Sequence, residues 1–225
     1  MKIAICTLRI GEEYQHLTRI TLMLQEIYAK KHGYTLINQT TSLASTRTPH
    51  WSKMPLILET FEKGYDFVVW MDADMNIMNF DIKLENYISK LGNYDMTVTQ
   101  DWKMTNTGFM VLRNCDWTKE FLKTWFEHKD YPEIGNYEQD AFQDLHSKNI
   151  LNCFKHIKVL ELADANAYHF NFAYGDFLIH FAGCRGYQIE IASKDYCLLK
   201  LENESDEAWQ DRVNHLKSIK GKKFA

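Results

Sequence analysis

The sequence predicts an α/β fold, with a mostly parallel central sheet and helices on both faces. Three observations carry this expectation. From Lys2 to Met71, apolar runs alternate with helical periods in the order strand, helix, strand, helix, strand. The two helical stretches both stop at a glycine, Gly33 and Gly64. The chain has 225 residues, 45% of them hydrophobic and 25% charged, the size and balance of one ordinary globular domain.

Each element follows from its local pattern. "KIAICT" (Lys2–Thr7) reads as a buried first strand. From Glu12 to about Lys31, Leu17, Ile20, Leu24, Ile27 and Tyr28 fall on one helical face. "YTLIN" (Tyr34–Asn38) is the second strand, and the polar "QTTSLASTRTPH" after it reads as loop. "WSKMPLILETFEKG" (Trp51–Gly64) is a helix, and "DFVVWM" is the third strand. "DMTVTQDW" and "GFMVLRN" are further strand candidates. Helices are expected over Asp116–His128, Tyr137–Ser147 and Asp206–Lys220, with a late strand at Phe177–Gly183.

Bulk properties exclude some classes. The net charge is −4, with no long basic block, so the phosphate backbone of DNA or RNA is not an expected partner. The basic run Lys217–Lys223 reads as a solvated helix end or the start of a linker. Five cysteines, an odd number without a CxxC pair, argue against a disulfide framework and for a reducing compartment. No apolar run approaches the roughly 20 residues of a membrane helix. A non-secreted, cytoplasmic protein is expected, unless the chain was cut from something longer. Aromatic residues make up 14%, a composition that fits both a bulky core and a sugar- or base-binding cleft.

The chemistry centres on "FVVWMDADMNI" (Phe67–Ile77), where a buried strand runs into two aspartates. Side chains alternate along a strand, so Asp72 and Asp74 share a face, with Cα atoms roughly 7 Å apart at a rise of about 3.3 Å per residue. Two carboxylates that close repel, and in a cleft one of them would protonate. A divalent cation removes the conflict, because Mg²⁺ and Mn²⁺ take oxygen ligands. The pair lies at the C-terminal end of the third strand, where open α/β sheets bind ligands. A turn that happens to hold two aspartates is the competing reading.

Further segments add a family likeness. "WSKMPLI", "WMDAD", "TNTGFMVLRNCDW", "YEQDA" and "HFAGCR" occur in order between Trp51 and Arg185. Together they resemble glycosyltransferase family 34, the galactosyl-, mannosyl- and xylosyltransferases with the GT-A nucleotide-sugar-binding fold. The resemblance implies that Asp72, Ala73 and Asp74 form the acidic motif. It makes His180 a third metal ligand and Mn²⁺ the expected ion, with Mg²⁺ as second choice. Gly183 and Arg185 would then lie against the donor diphosphate, and Lys53 would face the donor. Glu138 and Gln139 would sit beside the transferred sugar, where Glu138 replaces the family's more usual Asp. Asp140 is a candidate base without a firm family counterpart.

Thr7, Leu8 and Arg9 follow the first strand, at the position that holds base and ribose in this fold. Tyr14 either stacks on the base or makes an ordinary helix contact. Asn106 offers an amide to sugar hydroxyls, or serves only a turn. Trp51 is cleft wall or core.

The resemblance implies metal-dependent transfer from a nucleotide-sugar, a UDP-sugar first and GDP-mannose second, to a glycan or glycoprotein. Retention is the expected stereochemistry; inversion would need Asp101 or Asp140 as base. Family members carry a membrane anchor and act in the Golgi lumen. This chain begins on its first strand, a compact form like virus-encoded or bacterial glycosyltransferase domains, some of which decorate capsid glycoproteins. One domain over 1–225 is expected, with about 187–225 a divergent extension that leaves the acceptor open. Two rivals remain: a sugar- or nucleotide-binding module without turnover, and a haloacid-dehalogenase-type phosphatase. Against the phosphatase, Asn76 stands where that class normally has Thr or Val.

Overall fold

The structure, a computed structural model, describes residues 1–128, 137–173, 175–184 and 187–198, and positions 205–207, 210, 211, 213 and 214. Most of the helix expected over Asp206–Lys220 therefore lies outside the described residues, as does Arg185.

The parallel half of the sheet is built from β1 (Ile3–Leu8), β2 (Thr35–Gln39) and β3 (Phe67–Met71). β1 sits between the other two and runs parallel to both. The remaining strands are β5 (Met96–Gln100), β6 (Thr105–Asn106), β7 (Phe109–Arg113) and β8 (Ile157–Glu161), giving the order β2-β1-β3-β7-β5-β6 with β8 also on β5. β7 is antiparallel to both β3 and β5, whereas β8 is parallel to β5. So β1, β2, β3, β5 and β8 point one way, and β6 and β7 the other. The connection from β5 through β6 to β7 is too short for a crossover, so the chain must return antiparallel.

Period-two alternation divides the apolar residues between two faces. On one face Cys6, Val68, Trp70, Met110 and Leu112 pack under α3 (Lys53–Glu62), α5 (Asp116–Phe126) and α6 (Glu138–Ser147). On the other, Ile5, Val69, Met71, Phe109 and Val111 meet Tyr28, Tyr87 and Phe177. Every residue of β3 is buried, so burying charge at its end needs a specific reason.

The first helical stretch is two helices, α1 (Glu12–Leu17) and α2 (Arg19–His32). They break at Thr18, whose hydroxyl donates to the Tyr14 carbonyl at 2.6 Å and competes with the helix ladder. α2 ends at Gly33 with φ 73°, a left-handed cap suited to glycine. A 3₁₀ turn, Pro49–Ser52, precedes α3, so the helix begins at Lys53 rather than Trp51. α4 (Leu84–Leu91) is a further helix, which buries Leu84, Tyr87 and Leu91.

A second, three-stranded sheet completes the architecture: β4 (Met75–Ile77), β9 (Ala167–Tyr168) and β10 (Leu178–His180). β10 runs antiparallel to β4 and pairs His180 with Met75. Between β8 and β9 lies the short α7 (Leu162–Ala165), and α8 (Tyr187–Leu198) follows β10.

Candidate metal and donor site

Asp72, Ala73 and Asp74 form the turn between β3 and β4 rather than a continuation of the strand. Convergence of the two carboxylates comes from that turn, not from strand alternation. Pairing of β10 with β4 brings in His180, and the Phe181 amide donates to the Asp74 carbonyl at 3.0 Å. A residue 106 positions from Asp74 is thereby fixed beside it by sheet register. His180 Nε2 lies 3.3 Å from Asp74 Oδ1 and 3.9 Å from Asp72 Oδ2. One ligand atom from each of the three residues lies within 4.8 Å of the others.

Backbone geometry fixes the histidine's tautomer in four steps. The Gly108 amide can only donate, and it donates to Asn106 Oδ1 at 2.7 Å. Asn166 Nδ2 then donates to the same oxygen at 2.8 Å, and to Thr99 Oγ1 at 2.8 Å. Asn166 must therefore turn its oxygen to His180 Nδ1, 2.7 Å away. Nδ1 carries the proton in that bond, and neutral His180 presents the lone pair of Nε2 to the two aspartates. Two carboxylates and an oriented imidazole suit a divalent cation.

Gly108 shows how tightly the cradle is built. A Cβ there would stand 2.6 Å from His180 Cε1 and 2.9 Å from both Asn106 Oδ1 and Asp72 Oδ2. Gly108→Ala is expected to destabilise the fold by about 1–3 kcal/mol through overpacking. Thermal unfolding and Mn²⁺ titration of the variant would check this, with affinity falling alongside Tm. Asn166→Ala leaves the imidazole unsupported and should weaken Mn²⁺ binding roughly 10–100-fold. Calorimetry checks that figure, and unchanged affinity would rule out the orienting role.

Asp72 is positioned by its other oxygen. Oδ1 accepts from Trp70 Nε1 at 2.7 Å and faces Lys53 Nζ at 3.7 Å. Burial pushes the Asp72 carboxyl up, more than Lys53 and His180 pull it down. For Asp74, burial is outweighed by His180, and its carboxyl is held below the usual range. Burial would lower the His180 pKa, but Asp74 and then Asp72 raise it above its ordinary value.

Lys53 is 3% exposed and donates to Glu138 Oε1 at 2.8 Å and to the Thr107 carbonyl at 3.3 Å. Burial opposes its charge, but Asp72 and Glu138 outweigh burial and raise its pKa. Gln139 Oε1 accepts from the Thr107 amide at 3.1 Å. The first turn of α6 is thus tied to the acidic turn through Lys53 and Thr107. Asp140 is half-buried on that same turn.

The β1 end contributes a buried cation. Arg9 is 1% exposed; its Nη2 donates to Thr21 Oγ1 at 2.9 Å and to the Ala73 carbonyl at 3.4 Å. Thr21 Oγ1 also bonds to that carbonyl. Burial lowers the Arg9 pKa to about 10, so it stays charged at neutral pH. Arg9 Nε and Nη1, and Thr7 Oγ1, are buried with no partner among the described residues. Burial, then Asp74 and Asp72, raise the Tyr14 hydroxyl's pKa.

The other expected site residues lie as follows. Leu8 packs against the core, and Trp51 is wholly buried core. Gly183 is exposed in the turn after β10, with φ 77°. The Asn106 amide is engaged internally: Oδ1 takes Gly108 and Asn166, while Nδ2 donates to the Tyr168 hydroxyl at 2.9 Å. Asn106 thus orients the site's interior. Sequence reasoning missed Asn166 and Tyr168, which carry no motif.

The sheet order, the acidic turn after β3 and the helices on both faces define the class: a GT-A fold, that of the nucleotide-diphospho-sugar transferases. The model of the galactosyl transferase GMA12/MNN10 family matches residues 9–97 and 89–189. The chain belongs to that family. An alpha-1,2-galactosyltransferase of Schizosaccharomyces pombe is 27% identical over 204 residues, covering 70% of this chain and 53% of that protein. A probable xyloglucan 6-xylosyltransferase 1 of Oryza sativa is 30% identical over 111 residues, covering 44% of this chain and 24% of that protein. The chain thus spans about half the length of the yeast relative and less of the plant one.

Among solved structures, a glycosyltransferase involved in the glycosylation of the major capsid of PBCV-1 superposes with a TM-score of 0.73 at 17% identity. The match covers 87% of this chain and all of that one. The glycosyltransferase GlyE of Streptococcus pneumoniae superposes with a TM-score of 0.59 at 13% identity, over 98% of this chain and 65% of that one. These two likenesses show the fold. No helix among the described residues is long and apolar enough to cross a membrane.

Proposed function

We propose that this chain transfers a sugar from a nucleotide-diphosphate sugar to a hydroxyl of a glycan or glycoprotein. The observation that carries the proposal is the convergence of Asp72, Asp74 and His180 Nε2 within 4.8 Å. Mn²⁺ is the favoured ion, a UDP-sugar the favoured donor, and GDP-mannose the second choice. Relatives named as galactosyl- and xylosyltransferases support a hexose or pentose as the transferred group.

In this reading Asp72, Asp74 and His180 hold the cation. A bound cation there supplies charge neutralisation to the departing diphosphate. Arg9, charged and with Nε and Nη1 without a partner among the described residues, has donors left for the donor substrate, as does Thr7. Lys53 pairs with Glu138 beside the acidic turn. Gln139 and Asp140 are the candidates for contact with the transferred sugar, and Arg185 for the diphosphate. The anomeric carbon–oxygen bond to the diphosphate breaks, and the bond to the acceptor oxygen forms. The acceptor's proton leaves either to a leaving-group oxygen, with retention, or to a carboxylate such as Asp140, with inversion. Retention is favoured by the family.

A thermal-shift panel tests this directly. UDP, UDP-sugars and GDP-mannose are screened with Mn²⁺, Mg²⁺ or chelator. A UDP-sugar should raise Tm with Mn²⁺ and not with chelator, by mass action. No shift with any nucleotide in the presence of metal sinks the proposal. Binding without transfer or slow donor hydrolysis would instead make the chain a binding module.

Acid should oppose the cation. The His180 pKa is raised on folding, so its stabilising pairing is fully present below about 6.5, the ordinary histidine value. That stabilisation is lost as pH rises through the folded value. The cation needs Nε2 unprotonated, so Mn²⁺ affinity should fall as pH drops below that value, with a proton released on binding. Calorimetry in buffers of different ionisation enthalpy counts the proton; its absence at acidic pH would contradict the ligand role of His180.

A further inference from the structure

We propose that Trp102 and Phe170 form an aromatic platform that binds a pyranose ring of the acceptor glycan; this rests on the sugar-transfer reading above. They are 66% and 63% exposed, two of the five large hydrophobic side chains exposed among the described residues. The other three are Met1, Phe154 and Val159, on separate elements. Isolated exposed hydrophobics need no explanation, but adjoining ones do. The ring centroids of Trp102 and Phe170 are 5.5 Å apart.

The platform is continuous with the candidate metal site. Tyr168 lies 5.5 Å from Trp102, edge-on at 86°, and 5.6 Å from Phe170. Its ring is 5.8 Å from that of His180. Its hydroxyl accepts from Asn106 Nδ2 at 2.9 Å and donates to Asp101 Oδ2 at 2.9 Å. One buried tyrosine therefore separates the exposed rings from the metal-ligating imidazole.

Both exposed rings are presented by tight turns. Asp101 Oδ1 accepts the amides of Lys103 and Met104, each at 2.7 Å, and the Asp101 amide donates to the Met104 carbonyl at 3.0 Å. Trp102 stands at the corner of that turn. The Asn171 amide donates to the Tyr168 carbonyl at 3.0 Å and closes the turn that carries Phe170. Side chains held this way lose little freedom on binding.

The chemistry favours a sugar over a protein partner. A pyranose has an apolar face of C–H groups and a rim of hydroxyls. Here two aromatic surfaces stand beside the Asp101 carboxylate. A protein interface needs about 800 Å² on each partner, far more than two side chains supply.

The test uses the full chain labelled with 5-fluorotryptophan and read by ¹⁹F NMR. Trp102→Phe assigns the Trp102 resonance by its loss. Mannohexaose and cellohexaose are then titrated with UDP and Mn²⁺ present. At least one should shift the Trp102 resonance, and Phe170→Ala should weaken that binding about tenfold, as loss of an aromatic contact does. Trp102→Ala should weaken it similarly, again read by NMR through saturation transfer to the oligosaccharide, and leave the UDP–Mn²⁺ thermal shift unchanged. If neither oligosaccharide moves the Trp102 resonance, the platform proposal is overturned. If an oligosaccharide binds but wild type shows no thermal shift with any of the screened nucleotides and Mn²⁺, the platform stands as a glycan site and the transfer reading fails.

Discussion

Asp74→Asn is expected to reduce sugar transfer by about a thousandfold or more while the protein stays folded. Asparagine keeps the size of the side chain and one carbonyl oxygen, so the turn between β3 and β4 and its bond to the Phe181 amide survive. What is lost is the charge facing His180 Nε2 at 3.3 Å. The reading requires an anionic oxygen there to bind the cation tightly. The check is nucleotide release from a UDP-sugar, measured with saturating Mn²⁺ alongside the Tm of both proteins. A variant that keeps full turnover would remove Asp74 from the mechanism.

Lys53→Met should be the most damaging single change to stability. Lys53 and Glu138 side chains are 4% and 9% exposed and 2.8 Å apart. Removing the cation leaves Glu138 without its ion-pair partner in a buried place; breaking a buried pair from one side typically costs about 3–5 kcal/mol. The double variant Lys53→Met/Glu138→Gln should recover much of that loss, because no unpaired charge remains. Urea unfolding of both variants reads the effect. Equal stability of the single and double variants would show that Glu138 is not left stranded. The double variant also separates folding from function: if Lys53 only stabilises, it should retain donor binding.

The parallel half of the sheet was legible because β1 and β3 are buried, largely apolar runs and glycines follow the helices. Asp72 and Asp74 stood out because β3 is wholly apolar up to Met71, so charge at its end is conspicuous. His180 was different. A lone histidine in "FLIHFAG" looks like core, and the family likeness, not its spacing, singled it out. Its partner is fixed by β10 pairing with β4, and β4 is only three residues long, too short for a periodic signal. Asn166 was invisible for a related reason. It lies between the short elements α7 and β9, and its role exists only through three tertiary side-chain hydrogen bonds. The family likeness pointed Lys53 toward the donor; in the structure its ammonium is buried against Glu138 and Asp72. Asn106 was legible only as a choice between a ligand contact and a turn; the structure engages its Oδ1 with Gly108 and Asn166 and one Nδ2 hydrogen with Tyr168.

The most direct test of the central claim is anomalous diffraction from crystals grown with Mn²⁺ and UDP. A manganese peak bonded to Asp72, Asp74 and His180 Nε2, with the diphosphate against it, is the predicted result. A peak elsewhere, or one that leaves His180 unligated and still bonded to Asp74, would contradict it.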